Sequence, residues 1–436
     1  MKRSISLTAA VILALSLVSC DSAAPGTSEN VTDSSSQAAD TEQPSSDGTD
    51  NAVEEIAPPK PEKAAVSRDI SGDHGTYLSN TFISTGNNDL IYEAENITYR
   101  AYLPVEEYGE LEYKFYFSNT VDSTYGKGKR AYVSEPGGEY FISGAFIADG
   151  GASPDDEITN YTPVTFSGET EKAVSSGETY WSDSVVFDVP EGHYLVWEWT
   201  ITGENIPVNA MSQLTKTGTV IEGQDELGYC DQIPLPQLIG AKRDVKLKVA
   251  AIGDSITQGC QTEYMAYEFW AARIAQELGE DYSFYNCGLG YSRASDAATD
   301  GDWLERASNA DTVIVAFGTN DIVSGEYGGN GGNTAAEIEE WLGDIVGVLK
   351  EKGCEVIVFT APPQDYNENL EAVRAELNGD LPAFCAEHGA YLFDFASLLC
   401  DPETPAAAKY GGHPNGEGGA IVAEAFMEEY STLLGK

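Results

Sequence analysis

The most constraining feature of this sequence is a change of hydrophobic period near residue 245. After this point, short runs of large apolar residues alternate with segments whose apolar residues recur every three or four positions. Residues 334–352 form the clearest predicted helix, because five apolar residues would share one of its faces: Ile338, Leu342, Ile345, Val346 and Leu349. Strands that alternate with helices in this way predict a parallel sheet covered by helices.

The other elements of this part follow the same alternation. Strands are predicted over 245–252, 284–285, 312–317, 355–360 and 390–393, and helices over 263–278, 367–388 and 416–434. Ligand sites in parallel sheets lie at the carboxyl ends of the strands. The residues that directly follow each predicted strand are therefore the candidates for function.

The preceding part of the chain, residues 77–223, has the period of β-strands instead. Polar and large apolar residues alternate in runs such as 97–103 and 111–117, and Gly, Asn, Asp and Pro separate these runs. Many short strands without a helical period predict a sandwich or a jelly roll. Because 436 residues suffice for two cores, we predict an all-β sandwich (jelly-roll-like) domain over 76–235 and an α/β domain over 236–436.

The N-terminus has the pattern of an export signal. Two basic residues precede the apolar run 7–17, which is too short to span a bilayer, and small residues precede Cys20. We interpret residues 1–20 as a signal peptide. The Leu-x-x-Cys pattern resembles the bacterial lipobox, which implies a cell-surface lipoprotein anchored through a lipid on Cys20. The alternative is an ordinary signal peptide of a secreted protein, in which this cysteine is incidental.

Composition limits the structure of the next segment and the partners of the chain. Residues 21–75 contain no Phe, Tyr or Trp and are rich in Ser, Thr, Asp, Ala and Pro, so we predict a disordered tether. The chain has 24 Lys plus Arg against 71 Asp plus Glu, a net charge of −47. Because this charge repels phosphate backbones and anionic lipids, we expect no nucleic-acid partner, and membrane contact only through the N-terminal lipid.

Cysteine and histidine spacing gives no metal motif. No Cys-x-x-Cys and no histidine cluster with zinc spacing is present, so no metal site is expected. The six cysteines after Cys20 could pair in an oxidising compartment. However, Cys287 and Cys354 adjoin predicted buried strands, where a free cysteine packs as a small hydrophobe.

A candidate nucleophile follows the first strand of the α/β part. Ser255, in the Gly-Asp-Ser sequence at 253–255, lies at the carboxyl edge of the sheet and near the start of a helix. A serine hydroxyl is a weak nucleophile and needs a general base. His413 is the base by elimination, because the other three histidines lie outside the α/β part or at the end of a predicted helix: His74, His193 and His388.

Two further turns come after strand ends and offer hydrogen-bond donors. Asn320, in the Gly-Thr-Asn-Asp turn at 318–321, lies at the same predicted sheet edge as Ser255, where its amide could donate to a developing oxyanion. The turn at 286–292 offers the backbone N–H of Gly290. Each turn alone would be an ordinary tight turn, but four such segments at the ends of successive strands point to one site.

These segments resemble the four sequence blocks of the GDSL/SGNH hydrolase family: 253–259, the turn at Gly290, 318–321 and 412–415. The resemblance covers about residues 245–436 and implies a flavodoxin-like three-layer α/β/α domain. It implies that Ser255 attacks an ester carbonyl and that His413 takes and returns the proton. The Ser255 N–H, a glycine N–H of the second block and the Asn320 side chain would bind the oxyanion. No metal or organic cofactor is implied.

Two positions depart from the family pattern. The family has an aspartate three residues before the base, where this chain has Tyr410. Asp401 in the preceding loop is the candidate for an acid that orients His413; otherwise the enzyme would work with a serine–histidine pair. By spacing, the second-block glycine of the family falls on Tyr291 rather than Gly290, and either backbone N–H could serve.

The sequence supports three functional hypotheses. A β domain before an SGNH domain resembles bacterial carbohydrate esterases that remove acetyl groups from plant polysaccharides. The leading hypothesis is therefore a monomeric cell-surface esterase that hydrolyses acyl, above all acetyl, esters of carbohydrates. The enzymatic alternative is a lipase or thioesterase acting on longer acyl chains. The third hypothesis is a carbohydrate-binding surface protein with an inactive hydrolase domain, which the tyrosine at position 410 would explain.

Overall fold

The structure is a computed structural model, and it describes six stretches of the chain: residues 57–123, 134–210, 214–230, 232–299, 301–323 and 332–436. The predicted signal peptide, Cys20 and the tether up to residue 56 lie outside these stretches. Within them, no helix is both long and apolar enough to cross a membrane. The described residues from 57 onward group into one compact unit.

Two antiparallel sheets make up the β region, which we define as residues 73–242. After the short helix α1 (Asp73–Thr76), its strands are β1 (Tyr77–Ser79), β2 (Asp89–Leu103), β3 (Gly109–Ser118), β4 (Tyr140–Asp149), β5 (Thr159–Pro163), β6 (Lys172–Val174), β7 (Thr179–Trp181), β8 (Val185–Val189), β9 (Leu195–Ala210), β10 (Thr217–Thr219), β11 (Gln232–Ile233) and β12 (Leu238–Lys242). Strands β1, β12, β3, β7 and β8 form one sheet, and the other seven strands form the second.

The two sheets of the β region face each other across an aromatic core. In β9, Leu195, Trp197, Trp199 and Ile201 are buried on one face, as the alternating pattern predicts. The ring centroid of Trp197 lies 4.8 Å from that of Phe115 in the opposite sheet. Many short strands around such a core confirm the predicted all-β architecture.

The α/β region, which we define as residues 247–434, alternates strands and helices. Its elements are β13 (Leu247–Gly253), α2 (Ser255–Gln258), α3 (Trp270–Leu278), β14 (Tyr282–Gly288), α4 (Ala294–Ala297), α5 (Asp302–Ala307), β15 (Thr312–Ala316), α6 (Thr319–Val323), α7 (Ala335–Glu351), β16 (Glu355–Phe359), α8 (Glu368–His388), β17 (Tyr391–Phe393), α9 (Phe395–Leu399), β18 (Cys400–Asp401), β19 (Thr404–Ala408) and α10 (Gly416–Leu434).

The parallel sheet of the α/β region has the strand order β14-β13-β15-β16-β17. This is the order of flavodoxin-like sheets. Helices α3 and α10 cover one face of the sheet, and their buried side chains belong to one hydrophobic cluster. Helices α7 and α8 cover the other face, and their buried side chains belong to a second cluster. The predicted three-layer α/β/α fold is therefore confirmed.

Local signals explain where the helices begin. The Thr334 hydroxyl accepts the Glu337 N–H, and the Glu337 carboxylate accepts the Thr334 N–H, so a capping box starts α7 where the sequence predicts it. The helix predicted from residue 263 begins only at Trp270. Its first residues instead form a loop in which Met265 and Tyr267 have left-handed backbones, with φ of 59° and 52°.

The predicted disordered tether ends before residue 75, which corrects the sequence interpretation. The Arg68 N–H donates to the buried Asp311 carboxylate at 2.7 Å, and the Lys248 ammonium donates to the Arg68 carbonyl at 2.6 Å. The Arg68 guanidinium donates to three backbone carbonyls: Ser308, Ala310 and Lys352. The low apolar content of this segment predicts disorder. The prediction is wrong here because composition carries no information about partners that lie far away in the sequence.

The boundary between the two regions also differs from the prediction. The predicted start of the α/β domain at residue 236 puts strand β12 in that domain, but β12 pairs antiparallel with β3 of the β region. Buried polar contacts then join the regions. The Arg306 guanidinium lies 2.7 Å from the Asp122 carboxylate, and the Glu106 carboxylate accepts the Phe284 N–H at 3.0 Å. The side chains of Arg306, Asp122 and Glu106 are at most 4 % exposed, so the regions meet in a buried interface.

Six cysteines lie in the described stretches, and none of them forms a disulfide. Burial raises the pKa of Cys287 to about 12 and that of Cys354 to about 11. Both thiols therefore stay protonated and pack as small hydrophobes, as their positions beside buried strands predicted.

Candidate active site

Strand β13 delivers Ser255 to the carboxyl edge of the parallel sheet. The strand ends at Gly253, where a Cβ would lie 2.2 Å from Thr257 Oγ1 and 2.5 Å from the Ala316 carbonyl oxygen. Only glycine fits this close approach. Asp254 then caps α2, because its carboxylate accepts a backbone N–H of the first turn at 2.9 Å. Ser255 is thus held as the first residue of a helix, directly above the sheet.

His413 reaches Ser255 from the other end of the α/β region. It lies in the loop between β19 and α10, and its Nε2 atom is 2.7 Å from Ser255 Oγ. The side-chain amide of Gln364 holds this loop by donating to the Gly412 carbonyl. Asn415 caps α10 and ends the loop. The structure therefore brings together two predicted site residues that are 158 positions apart.

The His413 imidazole has no acidic partner among the residues that the structure describes. Its only hydrogen bond to them is the one to Ser255. Burial lowers the pKa of His413 below its ordinary value, and no neighbouring carboxylate raises it. Asp401, the predicted orienting acid, is not brought to this ring. Its carboxylate instead accepts the backbone N–H groups of Glu403 and Thr404 at 2.8 and 3.1 Å, because it closes the turn of its own hairpin.

Tyr410 occupies the position at which the family carries an aspartate. Its side chain is 8 % exposed and packs under α10, with its Cβ 2.9 Å from where a side chain at Gly418 would begin. The Lys409 ammonium lies 4.8 Å from the ring centroid, and the Tyr410 carbonyl accepts the Asn415 N–H at 3.1 Å. Tyr410 therefore supports the loop that carries His413 by packing.

Asn320 lies at the carboxyl end of β15, in the first turn of α6. Its side-chain nitrogen donates to the Ser292 carbonyl at 2.9 Å, which uses one of the two N–H groups of the amide. The next residue, Asp321, accepts the Ala294 N–H at 3.0 Å at the start of α4. Both contacts tie the turn after β15 to the turn after β14, so these two predicted segments form one edge of the site.

The Gly290 N–H is already bonded inside the protein, which corrects its predicted role. It donates to the Gln258 side-chain oxygen at 2.7 Å, and both residues are buried. An N–H engaged in this way does not point to an ester bound at Ser255. Tyr291, the alternative by spacing, follows with a left-handed backbone at φ 61°.

Gln258 also connects the nucleophile helix to the β region. Its side-chain nitrogen donates to the Asn209 side-chain oxygen and to the Ala210 carbonyl, each at 3.2 Å. Both partners lie at the end of β9. Sequence reasoning missed this role, although a buried glutamine one turn after a nucleophile is the available signal. Gln258 thus bridges β9, the Ser255 helix and the Gly290 turn.

Two buried carboxyl groups lie behind the site. Burial raises the pKa of Asp254 to about 7 and that of Asp321 to about 6. Both groups accept backbone N–H bonds at helix starts, and neither is a hydrogen-bond partner of His413. Their role in the geometry is to hold α2 and α4. No three His, Cys, Asp or Glu side chains in the described part of the chain are grouped so as to hold a metal ion.

Solved structures with similar folds include three bacterial proteins. One is a member of the lipolytic protein G-D-S-L family from Veillonella parvula (22 % identity, 43 % of this chain and 99 % of that chain, TM-score 0.34). Another is an acetylxylan esterase from Geobacillus stearothermophilus (20 %, 42 % and 94 %, TM-score 0.33). The third is a GDSL-like lipase from Bacteroides thetaiotaomicron (16 %, 42 % and 86 %, TM-score 0.32). No match was found among curated proteins.

A family model matches the sequence of the α/β region. Residues 251–421 match the model of the GDSL-like Lipase/Acylhydrolase family. The match begins in β13, four residues before Ser255, and ends in α10, eight residues after His413. It therefore spans the strand ends and the loop that carry Ser255, Asn320 and His413. Residues 251–421 are a GDSL-like lipase/acylhydrolase domain, and the protein that carries it is a carboxylic ester hydrolase.

Proposed function

We propose that the protein is a serine esterase in which Ser255 is the nucleophile and His413 is the general base and acid. The observation that carries this proposal is the 2.7 Å distance between Ser255 Oγ and His413 Nε2 at the carboxyl edge of the sheet. A hydroxyl within hydrogen-bond reach of a neutral imidazole can lose its proton as it attacks.

The proposed reaction has two halves. First, Ser255 Oγ bonds to the ester carbonyl carbon while its proton passes to His413 Nε2; the ester C–O bond then breaks, and the leaving alcohol takes that proton. Next, a water molecule attacks the acyl carbon and gives a proton to His413. The carboxylic acid leaves as the Ser255 oxygen takes this proton back. The enzyme ends as it began, with one ester and one water converted to an alcohol and an acid.

The oxyanion of each tetrahedral intermediate needs fixed donors. We assign this role to the Ser255 backbone N–H and the Asn320 amide. The bond from Asn320 to the Ser292 carbonyl supports the assignment, because it fixes the amide plane before substrate arrives. Donors oriented in advance stabilise the charge that develops in the transition state without reorganisation.

We propose a serine–histidine pair without a carboxylate. The lowered pKa of His413 supports this, because an adjacent carboxylate would raise it. The loop that Gln364 and Tyr410 hold would then orient the imidazole. A ring that is fixed by its loop and kept neutral by burial can accept the serine proton without a third partner.

The substrate and the location extend this proposal. We propose that the ester is an acetyl group on a carbohydrate and that the protein acts at the bacterial cell surface, anchored through Cys20. The lipobox-like N-terminus supports the location. The β region, joined to the hydrolase domain through a buried interface, supports a substrate larger than a simple ester.

Hydrolysis of p-nitrophenyl acetate, butyrate and octanoate by the purified protein tests these steps. We expect acetate to be the fastest substrate and Ser255→Ala to lose about 10⁴-fold or more of the rate. Unchanged hydrolysis in this variant would contradict the mechanism, and a rate that rises towards octanoate would favour a lipase or thioesterase. If a fluorophosphonate does not label the wild-type protein, the hypothesis of an inactive hydrolase domain is favoured. Acetate release from acetylated xylan, mannan, pectin and chitooligosaccharide then identifies the polymer.

A further inference from the structure

A groove of about 930 Å³ lies on the outer face of the seven-stranded sheet of the β region. Strand β2 forms part of its floor. Tyr99 and Ala101 of this strand pack into the sandwich core. Because successive side chains of a strand point to opposite faces, Arg100 and Tyr102 face away from the core and line the groove. Residues 154–158, 220–221 and 224–229 form its walls. The groove thus has a rigid floor of sheet and does not share residues with the Ser255 site.

Aromatic and aliphatic side chains stand exposed on the groove. Tyr229 is 81 % exposed, Tyr161 is 44 % exposed and Ile221 is 39 % exposed, and all three line the groove. Tyr161 is fixed in place, because the Arg100 guanidinium donates to its hydroxyl at 3.2 Å. Exposed tyrosine rings offer flat apolar faces beside polar groups. This combination suits the apolar C–H faces and hydroxyl edges of pyranose rings.

The charges of the groove select against anionic ligands. Its two cations are engaged within the protein: Arg100 donates to Glu198 at 2.6 Å, and the Lys216 ammonium donates to the Pro154 carbonyl at 2.7 Å and to Asp155 at 3.1 Å. Four other carboxylates line the groove: Asp156, Glu157, Asp225 and Glu226. A polyuronate would therefore be repelled. A neutral sugar chain can hydrogen bond to carboxylates through its hydroxyls.

The groove adjoins the loop that comes after the nucleophile helix. The Met265 N–H, in the loop between α2 and α3, donates to the Leu214 carbonyl at 3.0 Å. The Tyr267 hydroxyl lies 3.0 Å from the Thr215 hydroxyl. Lys216, which lines the groove, directly follows Thr215 in the chain. The groove therefore lies next to two residues that contact the loop between α2 and α3.

We infer that this groove is a binding site for a neutral glycan chain, the polymer that carries the esters hydrolysed at Ser255. This inference rests on the proposed action on carbohydrates and narrows it to neutral polysaccharides. It gives the β region a binding role that the hydrolase domain does not supply.

Binding is best measured apart from hydrolysis, with the Ser255→Ala protein and deacetylated polymers. We expect xylan or glucomannan to retard this protein in native gels and polygalacturonate not to do so. Tyr161→Ala and Tyr229→Ala should each weaken this binding by about 2- to 12-fold, because one aromatic contact contributes about 0.5–1.5 kcal/mol. Tyr92→Ala is the matched control, because Tyr92 is 79 % exposed on β2 but does not line the groove.

The same tyrosine substitutions in the active protein separate this inference from the proposed function. We expect turnover of p-nitrophenyl acetate to stay at the wild-type level and the KM for an acetylated neutral polymer to rise. Equal binding by all variants, loss of binding in Tyr92→Ala, or equal binding of polygalacturonate would each overturn the glycan site and leave the esterase mechanism standing. The turnover of p-nitrophenyl acetate by Ser255→Ala tests the esterase mechanism only. Turnover that persists in this variant would contradict the mechanism and would leave the groove untouched.

Discussion

The two regions of this protein carry polar side chains in different ways. In the α/β region, the polar residues of the site come after strand ends: Ser255 follows β13, and Asn320 follows β15. In the β region, the groups that bond to Gln258 lie at one end of a long strand whose buried side chains join an aromatic core. They are the Asn209 side chain and the Ala210 carbonyl, which close β9. In the proposed mechanism the α/β region supplies the reacting groups, and the β region supplies contacts that hold the Ser255 helix.

This difference shows why motifs were visible in one region only. A parallel sheet gathers the residues after successive strands at one edge, so a catalytic site appears in the sequence as short segments at predictable places. In an antiparallel sandwich, the residues that follow successive strands lie at alternating ends of the sheet and do not meet at one edge. Its contribution is made by single contacts, such as the Arg306–Asp122 pair, whose partners are far apart in the chain.

The strongest test asks whether the α/β region alone contains the reacting groups. His413→Ala should lower kcat for p-nitrophenyl acetate by about 10⁴-fold or more, because the serine then lacks its base. Asp401→Asn is the matched control and should keep wild-type activity, since its carboxylate bonds only within its own hairpin. An equal loss in both variants would show that Asp401 acts on His413 after all.

The next test concerns the interface between the regions. Arg306→Leu leaves the buried Asp122 and the partly buried Asp302 without their cation and should destabilise the protein by about 3–5 kcal/mol in urea unfolding. We expect one cooperative transition at lower urea in the variant, because the regions unfold as one unit. Lys246→Ala breaks an exposed pair with Asp281 and should leave the unfolding midpoint unchanged. Two separate transitions in the wild type would contradict this coupling.

A smaller effect should reveal whether the β region positions the site. Gln258→Leu removes the acceptor of the Gly290 N–H and both donors to β9, so kcat should fall by about 10- to 100-fold with little change in KM. Asn209→Ala should have a smaller effect. If the two residues act through one contact, the double variant should resemble Gln258→Leu, whereas effects that multiply would show that β9 and Gln258 act independently.

A modest shift in pH dependence is also expected. The imidazole must be neutral to accept the serine proton, and burial lowers the pKa of His413 below 6.5. Activity should therefore rise with pH along a limb whose midpoint lies below pH 6.5 and should persist into mildly acidic solution. The profile of kcat/KM against pH checks this. A midpoint above pH 6.5 would indicate a carboxylate beside the ring and a triad rather than a pair.

Sequence patterns alone were enough to predict the fold of the α/β region and its two central residues. Alternating periods are local, so strands β13 to β17 and the capped helix α7 could be predicted from them, whereas the flavodoxin-like arrangement of the sheet came from the resemblance to the GDSL/SGNH family. The identification of Ser255 and His413 needed only a strand end and a shortage of histidines. The 2.7 Å contact between them agrees with that identification.

The partner of each polar group, in contrast, was decided by the tertiary structure. The Gly290 N–H is predicted to bind the oxyanion, but it donates to the Gln258 side chain. Asp401 is predicted to orient His413, but its carboxylate accepts a backbone N–H of its own hairpin. Arg68 was placed in a disordered segment, yet it binds carbonyls more than 200 residues away. Sequence patterns predict where the backbone goes. A hydrogen bond depends on which donor and acceptor arrive within about 3 Å of each other, and packing of the whole chain decides that.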